Sequence, residues 1–160
     1  MADPGDRAGQ LPLRAILEKR RRPLVTVAPD ESVRSAIARM VASDVGVVVV
    51  PHGGPTPSWG VLSERDIVRN VVAPGLDPRT TAVADAMRRI APRVHPDATV
   101  QSAMHYLTQI GRRHALVAVK GHLVGVVSLG DLAACVTEEL ERDVRDLVDY
   151  IAKPREPHDG

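Results

Sequence analysis

Phenylalanine is absent from this 160-residue chain, and its aromatic residues are confined to Trp59, Tyr106 and Tyr150. With the hydrophobic fraction still at 44%, the core has to be built from Val, Leu, Ile and Ala. The same scarcity argues against stacking on single-stranded bases. Cysteine appears once, as Cys135, which excludes an intramolecular disulfide and any multi-cysteine metal site. Among Leu132, Ala133, Ala134 and Val136 it reads as a small buried hydrophobe rather than a reactive thiol. No charge of one sign dominates: 21 basic and 20 acidic residues leave a net +1, with no electrostatic footprint for nucleic acid or an anionic membrane. The longest basic run, Lys19-Arg20-Arg21-Arg22, reads as a solvated helix end favoured by the helix dipole rather than as a binding patch. No apolar stretch approaches the length of a membrane span. The segment Met1-Ala2-Asp3-Pro4-Gly5-Asp6 lacks the layout of a signal peptide, so the expected location is cytoplasmic.

Catalytic signatures are missing as well. The histidines are His52, His95, His105, His114, His122 and His158, and none form a metal-spaced pair. There is no Gly-x-Ser-x-Gly elbow and no phosphate loop ending in Gly-Lys. Gly53-Gly54 sits among prolines in a loop, where glycine gives flexibility rather than a phosphate cradle. No metal or catalytic cofactor is expected, and an enzyme is the less favoured class.

What the chain does contain is a repeat. Val25-Thr26-Val27-Ala28-Pro29-Asp30-Glu31-Ser32-Val33 recurs as Pro92-Arg93-Val94-His95-Pro96-Asp97-Ala98-Thr99-Val100, at an offset of 67 positions. Ser35–Met40 matches Ser102–Leu107. Gly60-Val61-Leu62-Ser63-Glu64-Arg65-Asp66-Ile67 then matches Gly125-Val126-Val127-Ser128-Leu129-Gly130-Asp131-Leu132 at an offset of 65. A shorter hairpin loop in the second copy accounts for the change. Each copy reads as a short strand (around Leu24–Val27 and Arg93–Val94), a Pro-Asp turn, an amphipathic helix, two strands and a second helix. The helices place Val33, Ile37, Met40 and Val41, or Val100, Met104, Leu107 and Ile110, on one face. The strands are expected at Val45–Val50 with Trp59–Leu62, and at Ala115–Val119 with Leu123–Val127. A unit of roughly 60 residues leaves an apolar face open, so the two copies should pack together and create clefts between their sheets.

The expected organisation is therefore α/β (α+β): two pseudo-symmetric β-α-β-β-α units packed as one module, plus N- and C-terminal helices. The units are placed at 13–72 and 82–136, joined by a linker at 73–81. Flexible ends are expected at 1–12 and 153–160, and a C-terminal helix at 137–152. That helix carries a narrow stripe of Val136, Leu140, Val144, Leu147, Val148 and Ile151, which fits either docking on its own domain or packing across a homodimer.

With Val-x-Pro-Asp-x-(Ser/Thr)-Val, a valine-rich strand and Gly-h-h-Ser-x-x-Asp (h, hydrophobic) present twice in order, the chain resembles the CBS-domain pair, or Bateman module, over about Leu13 to Val136. The ending resembles the small stand-alone bacterial members. The resemblance implies two interfacial clefts that often hold adenine nucleotides, a homodimer, and regulation of a partner, here a separate and unidentified protein. AMP, ADP, ATP, NAD and S-adenosylmethionine are the ligands it suggests.

Ser63-Glu64-Arg65-Asp66 and Ser128-Leu129-Gly130-Asp131 have two compatible readings. A Ser three residues before an acid is the capping-box pattern and needs no ligand. A carboxylate also matches the vicinal hydroxyls of a ribose, and a hydroxyl with free helix amides suits a phosphate. Carried over from the family, Asp66 and Asp131 would accept ribose hydroxyls, with Ser63 and Ser128 near phosphates. Arg113 and His114, with Arg112 beside them, are candidate phosphate contacts; the alternative is a strand edge or surface ion pair. Arg65 is a further candidate. The first copy has Val45-Gly46-Val47 in place of Arg112-Arg113-His114, so unequal clefts are expected. The rival to a ligand-sensing regulatory module is a ligand-free structural or dimerisation scaffold.

Overall fold

The computed structural model describes residues 9–53 and 58–152. The expected flexible tail at 153–160 and most of the expected flexible N-terminus lie outside the described residues, as does the centre of the first hairpin loop. In chain order the elements are α1 (Leu13–Arg20), α2 (Val33–Ser43), β1 (Val47–His52), β2 (Ser58–Ser63), α3 (Glu64–Ile67) running into a wider helical turn at Val68–Val72, α4 (Val83–Ala86), β3 (Arg93–Val94), α5 (Val100–Gln109), β4 (His114–Val119), β5 (His122–Ser128) and α6 (Leu129–Ala152). The mixed α+β architecture and its duplication are as the sequence predicts.

The helices start where the repeat places Ser or Thr. Ser32 accepts the amide of Ser35 and Thr99 accepts that of Ser102, each satisfying an otherwise orphaned helix donor. β1 and β2 form an antiparallel hairpin in register Val47 to Ser63. The expected strand before α2 shrinks to one parallel bridge, Thr26 to Val49; in the second copy β3 pairs parallel to β4, and β4 antiparallel to β5.

The valine run of β1 is buried on both faces. Val48 and Val50 pack with Val33, Ala36, Met40 and Val71 in the first copy's core. Val47 and Val49 point the other way and meet Val61, Ala91 and Leu116. Leu116 comes from β4, so this third cluster is where the two sheets stack. Covering both faces explains an unbroken apolar run where a half-exposed strand would alternate. The helix faces are narrower than expected: Val41 and Ile110 are exposed, and Ala36 and Ala103 are buried in their place.

The copies exchange their entry helices. Leu13 and Ile16 of α1 pack in the second copy's core with Val100, Leu107 and Leu132. Val83, Ala86 and Met87, around α4, pack in the first copy's core. Backbone bonds show the same swap: the amides of Val83 and Ala84 donate to Glu31 and Pro29, and those of Leu13 and Arg14 to Ala98 and Pro96. The Pro-Asp turns thus supply carbonyls to the orphan amides of a helix that enters from the other half. Residues 9–12, expected in the flexible leader, join this arrangement. Pro12 bridges Thr99, and the carbonyl of Leu11 accepts the amide of Val100.

Two further expectations need correction. The second copy's last helix and the C-terminal helix are one continuous element, α6, because no Gly or Pro interrupts Asp131–Ala152. The basic run at the end of α1 is not free in solvent. Lys19 and Arg20 donate to Glu138 at 2.7 and 2.9 Å, pinning α1 to α6.

Candidate functional site

Ser63 and Asp66 close a full capping box. The Ser63 hydroxyl donates to Asp66 Oδ2 at 2.6 Å and accepts the Asp66 amide, while the Ser63 amide donates to the same carboxylate. In the second copy the Ser128 hydroxyl donates to Asp131 Oδ2 at 2.6 Å and accepts the Asp131 amide at 3.0 Å. The first amides of these helices are taken too, Glu64 by the carbonyl of Gly46 and Leu129 by that of Arg113. Two of the first three amides in each helix are therefore already bonded, and both serine hydroxyls are engaged. The capping reading is satisfied in the geometry; what each motif still presents outward is carboxylate Oδ1.

Those oxygens are met by arginines outside the candidate set; two of them, Arg20 and Arg22, belong to the basic run expected to be a solvated helix end rather than a binding patch. Asp66 Oδ1 accepts from Arg88 at 2.6 Å. Asp131 Oδ1 lies 3.0 Å from Arg22 and 3.6 Å from Arg20. Both carboxylates are buried, at 4% and 7% exposure, so an unpaired charge there would be costly. Burial pushes the Asp66 carboxyl up, but hydrogen bonds from the Ser63 hydroxyl, Arg88 and the Ser63 amide outweigh it and hold it below the usual range. The missed signal was positional. Arg20, Arg22 and Arg88 each precede a first strand, and the helix exchange carries Arg20 and Arg22 from the first copy to the Asp of the second.

The motif glycines explain how the arginines arrive. A Cβ on Gly60 would sit 2.7 Å from the carbonyl of Arg88, and Arg88 pairs with Val61 as an added antiparallel bridge. A Cβ on Gly125 would sit 2.9 Å from Leu17 of α1. Each glycine in Gly-h-h-Ser-x-x-Asp leaves room for the entry segment that delivers an arginine.

Two clefts result, and each draws on both copies. One is lined by Ser128, Asp131, Arg20 and Arg22, with apolar walls from Val25, Val45, Val47, Val49, Val124 and Val126, and encloses about 160 Å³. The other, of about 100 Å³, is lined by Ser63, Arg65, Asp66, Arg88, Arg112 and Arg113. The seven candidate residues are therefore not one constellation. Arg113 lies with Ser63, Arg65 and Asp66, apart from Ser128 and Asp131. Gly46, Val47 and His114 line both clefts and form the ridge between them. Burial pushes the His114 imidazole below its ordinary pKa and Arg113 adds to this, against the opposing pull of Asp131, Glu64 and Asp66.

The inequality expected between the copies is present in a different form. The first copy lacks the basic pair in its own sequence, yet its Ser-x-x-Asp, which itself contains Arg65, shares a cleft with Arg88, Arg112 and Arg113. The second copy's motif faces valines and two arginines. Among the described residues, no group of three or more His, Cys, Asp or Glu is placed to hold a metal, and no helix is long and apolar enough to cross a membrane.

Comparison with known proteins bears on this geometry. The CBS-domain family model matches residues 14–73 and 83–138. The chain is 30% identical over 125 residues to the mitochondrial CBS domain-containing protein CBSX3 of Arabidopsis thaliana, covering 76% of this chain but 61% of that protein. It is 30% identical over 110 residues to the CBS domain-containing protein YhcV of Bacillus subtilis, covering 69% of this chain and 76% of that one. Among solved structures, the CBS-domain containing protein ATU1752 from Agrobacterium tumefaciens matches with a TM-score of 0.68 at 30% identity, covering 77% of this chain and 96% of that chain.

Proposed function

This chain belongs to the CBS-domain family, whose members are generally regulatory or signal-transduction modules, and on that premise we propose that it senses an adenine nucleotide or related adenosyl ligand and signals to a partner protein. The observation that carries the reading is Asp131. Its buried carboxylate stands at the edge of a valine-walled cleft, with Oδ1 held by a guanidinium that is itself half exposed. A ribose diol would take Oδ1, the valines would cover the base, and Arg22 would turn from the carboxylate to the phosphate. Arg20 and His114 line the same cleft. Asp66 is the poorer acceptor, because Arg88 is tied by its backbone to β2 and is less free to leave.

Binding rather than turnover is proposed. The ligand bridges both halves, so it favours whichever relative angle it binds more tightly, and that difference in affinity sets the size of the signal.

The test is thermal unfolding with AMP, ADP, ATP, NAD and S-adenosylmethionine. Ligand at 100 times its dissociation constant adds about 2.7 kcal/mol to a fold that alone binds it, which raises the midpoint by several degrees. Asp131→Asn should lose the shift and Asp66→Asn should keep it. Arg22→Ala should weaken AMP by roughly 10- to 100-fold, the worth of one hydrogen bond to a charged group, and leave adenosine nearly unchanged. No shift with any of these ligands at millimolar concentration would leave a scaffold as the function. Turnover of a bound ligand would make the protein an enzyme.

A further inference from the structure

We infer that the free half of α6 pairs with α6 of a second copy of this chain as a parallel two-stranded coiled coil. α6 runs 24 residues, yet its buried residues are Asp131, Leu132 and Cys135 alone. From Leu140 onward the helix leaves its own domain, and Leu140, Val144, Leu147 and Ile151 are 40%, 60%, 59% and 73% exposed. A bare stretch of about 13 residues spans roughly 20 Å and is marginal as a helix in water. Something has to cover it.

The order of residue types points to its own copy. Ala133, Thr137, Leu140, Val144, Leu147 and Ile151 are spaced alternately by four and three, the seam of a two-stranded coil. Over its large residues the seam carries β-branched side chains at one position of the heptad (Val144, Ile151) and leucine at the other (Leu140, Leu147). That combination selects two parallel strands over three or four. Ala133 and Thr137, both exposed, are small where the seam passes the folded domain, so two modules can approach there.

Flanking charge agrees with this occupant and disfavours a membrane. Between Thr137 and Ala152 there are six acidic residues and two basic ones, a net of −4, which an anionic lipid surface would repel. In the parallel pair Asp143 would face Val148 of the second copy, so no two like charges meet there beside the free half of the seam.

Sedimentation of the full chain, read without nucleotide and so independently of the ligand proposal, tests this. Wild type should sediment as a dimer of the 17.2 kDa chain. Val144→Asp combined with Leu147→Asp alters only exposed side chains, and should sediment as a monomer that still unfolds cooperatively. Under mild oxidation Leu147→Cys should form a covalent dimer, whereas wild type, whose Cys135 is buried, should not. A monomeric wild type, or a dimer that survives the double charge substitution, would overturn the pairing. A dimer in which Leu147→Cys stays unlinked would overturn the parallel order.

Discussion

His114 stands on the ridge between the clefts, with a pKa lowered from 6.5 chiefly by burial. The unfolded chain takes up a proton near that pH and the folded chain only at lower pH, so the unfolded state holds more protons in between. This contribution to stability is complete above pH 6.5 and is lost as pH falls toward the lowered value. Denaturant midpoints above and below pH 6.5 should show that loss, and His114→Gln should reduce it. Asp66, lowered from 3.8, acts in a separate window: its contribution persists above 3.8 and is lost only in stronger acid. The motif glycines give a second comparison at this scale. Gly60→Ala forces a methyl against the backbone carbonyl of Arg88, whereas Gly125→Ala meets the movable end of Leu17. Urea unfolding should show Gly60→Ala costing about 1–3 kcal/mol, as overpacking does, and Gly125→Ala less.

Helix α1 precedes the first copy in sequence but completes the core of the second. Leu13 is fully buried there, so Leu13→Ala should cost about 2–5 kcal/mol. Leu24, similar in sequence terms and 43% exposed, should change stability by no more than about 0.5 kcal/mol when replaced by Ala. Denaturant titration of the two variants checks this. Helices α2 and α5 and the two hairpins were legible because periodicity and the Pro-Asp turns are local signals; that Ser32 and Thr99 cap the helices is seen only in the structure. In copy one the residues around Leu24–Val27 suit a strand in sequence, but only Thr26 forms a bridge, with Val49. No boundary between helices falls at the expected junction 136–137. The change from core residues to charged ones there marks where α6 leaves the domain, while the helix itself continues.

Across the whole molecule, duplication makes two clefts and the exchange of entry helices makes them different. An adenosyl ligand seated at Asp131 would touch Arg20 and Arg22 at and just after the end of α1, Val45, Gly46, Val47 and Val49 of copy one, and the start of α6. Since α6 is continuous from Asp131 to Ala152, a shift of its first turn would reach its far end. Small-angle scattering with saturating ligand should therefore show a changed profile. An unchanged profile, dimer geometry and partner affinity with a tightly bound nucleotide would remove this mechanism.

The amino-acid sequence by itself determined the repeat, the class of fold and the two Ser-x-x-Asp motifs, because each depends on residues within a few positions of one another. It also contained the heptad seam of α6, which is a matter of spacing alone. The tertiary structure decided which residues share a cleft. Arg113 joins Asp66, and Arg22 joins Asp131 from 109 positions away, because α1 crosses to the second copy and packs over Gly125. Contacts set by how two halves pack leave no periodic trace in the chain, and so they became visible only when the halves were assembled.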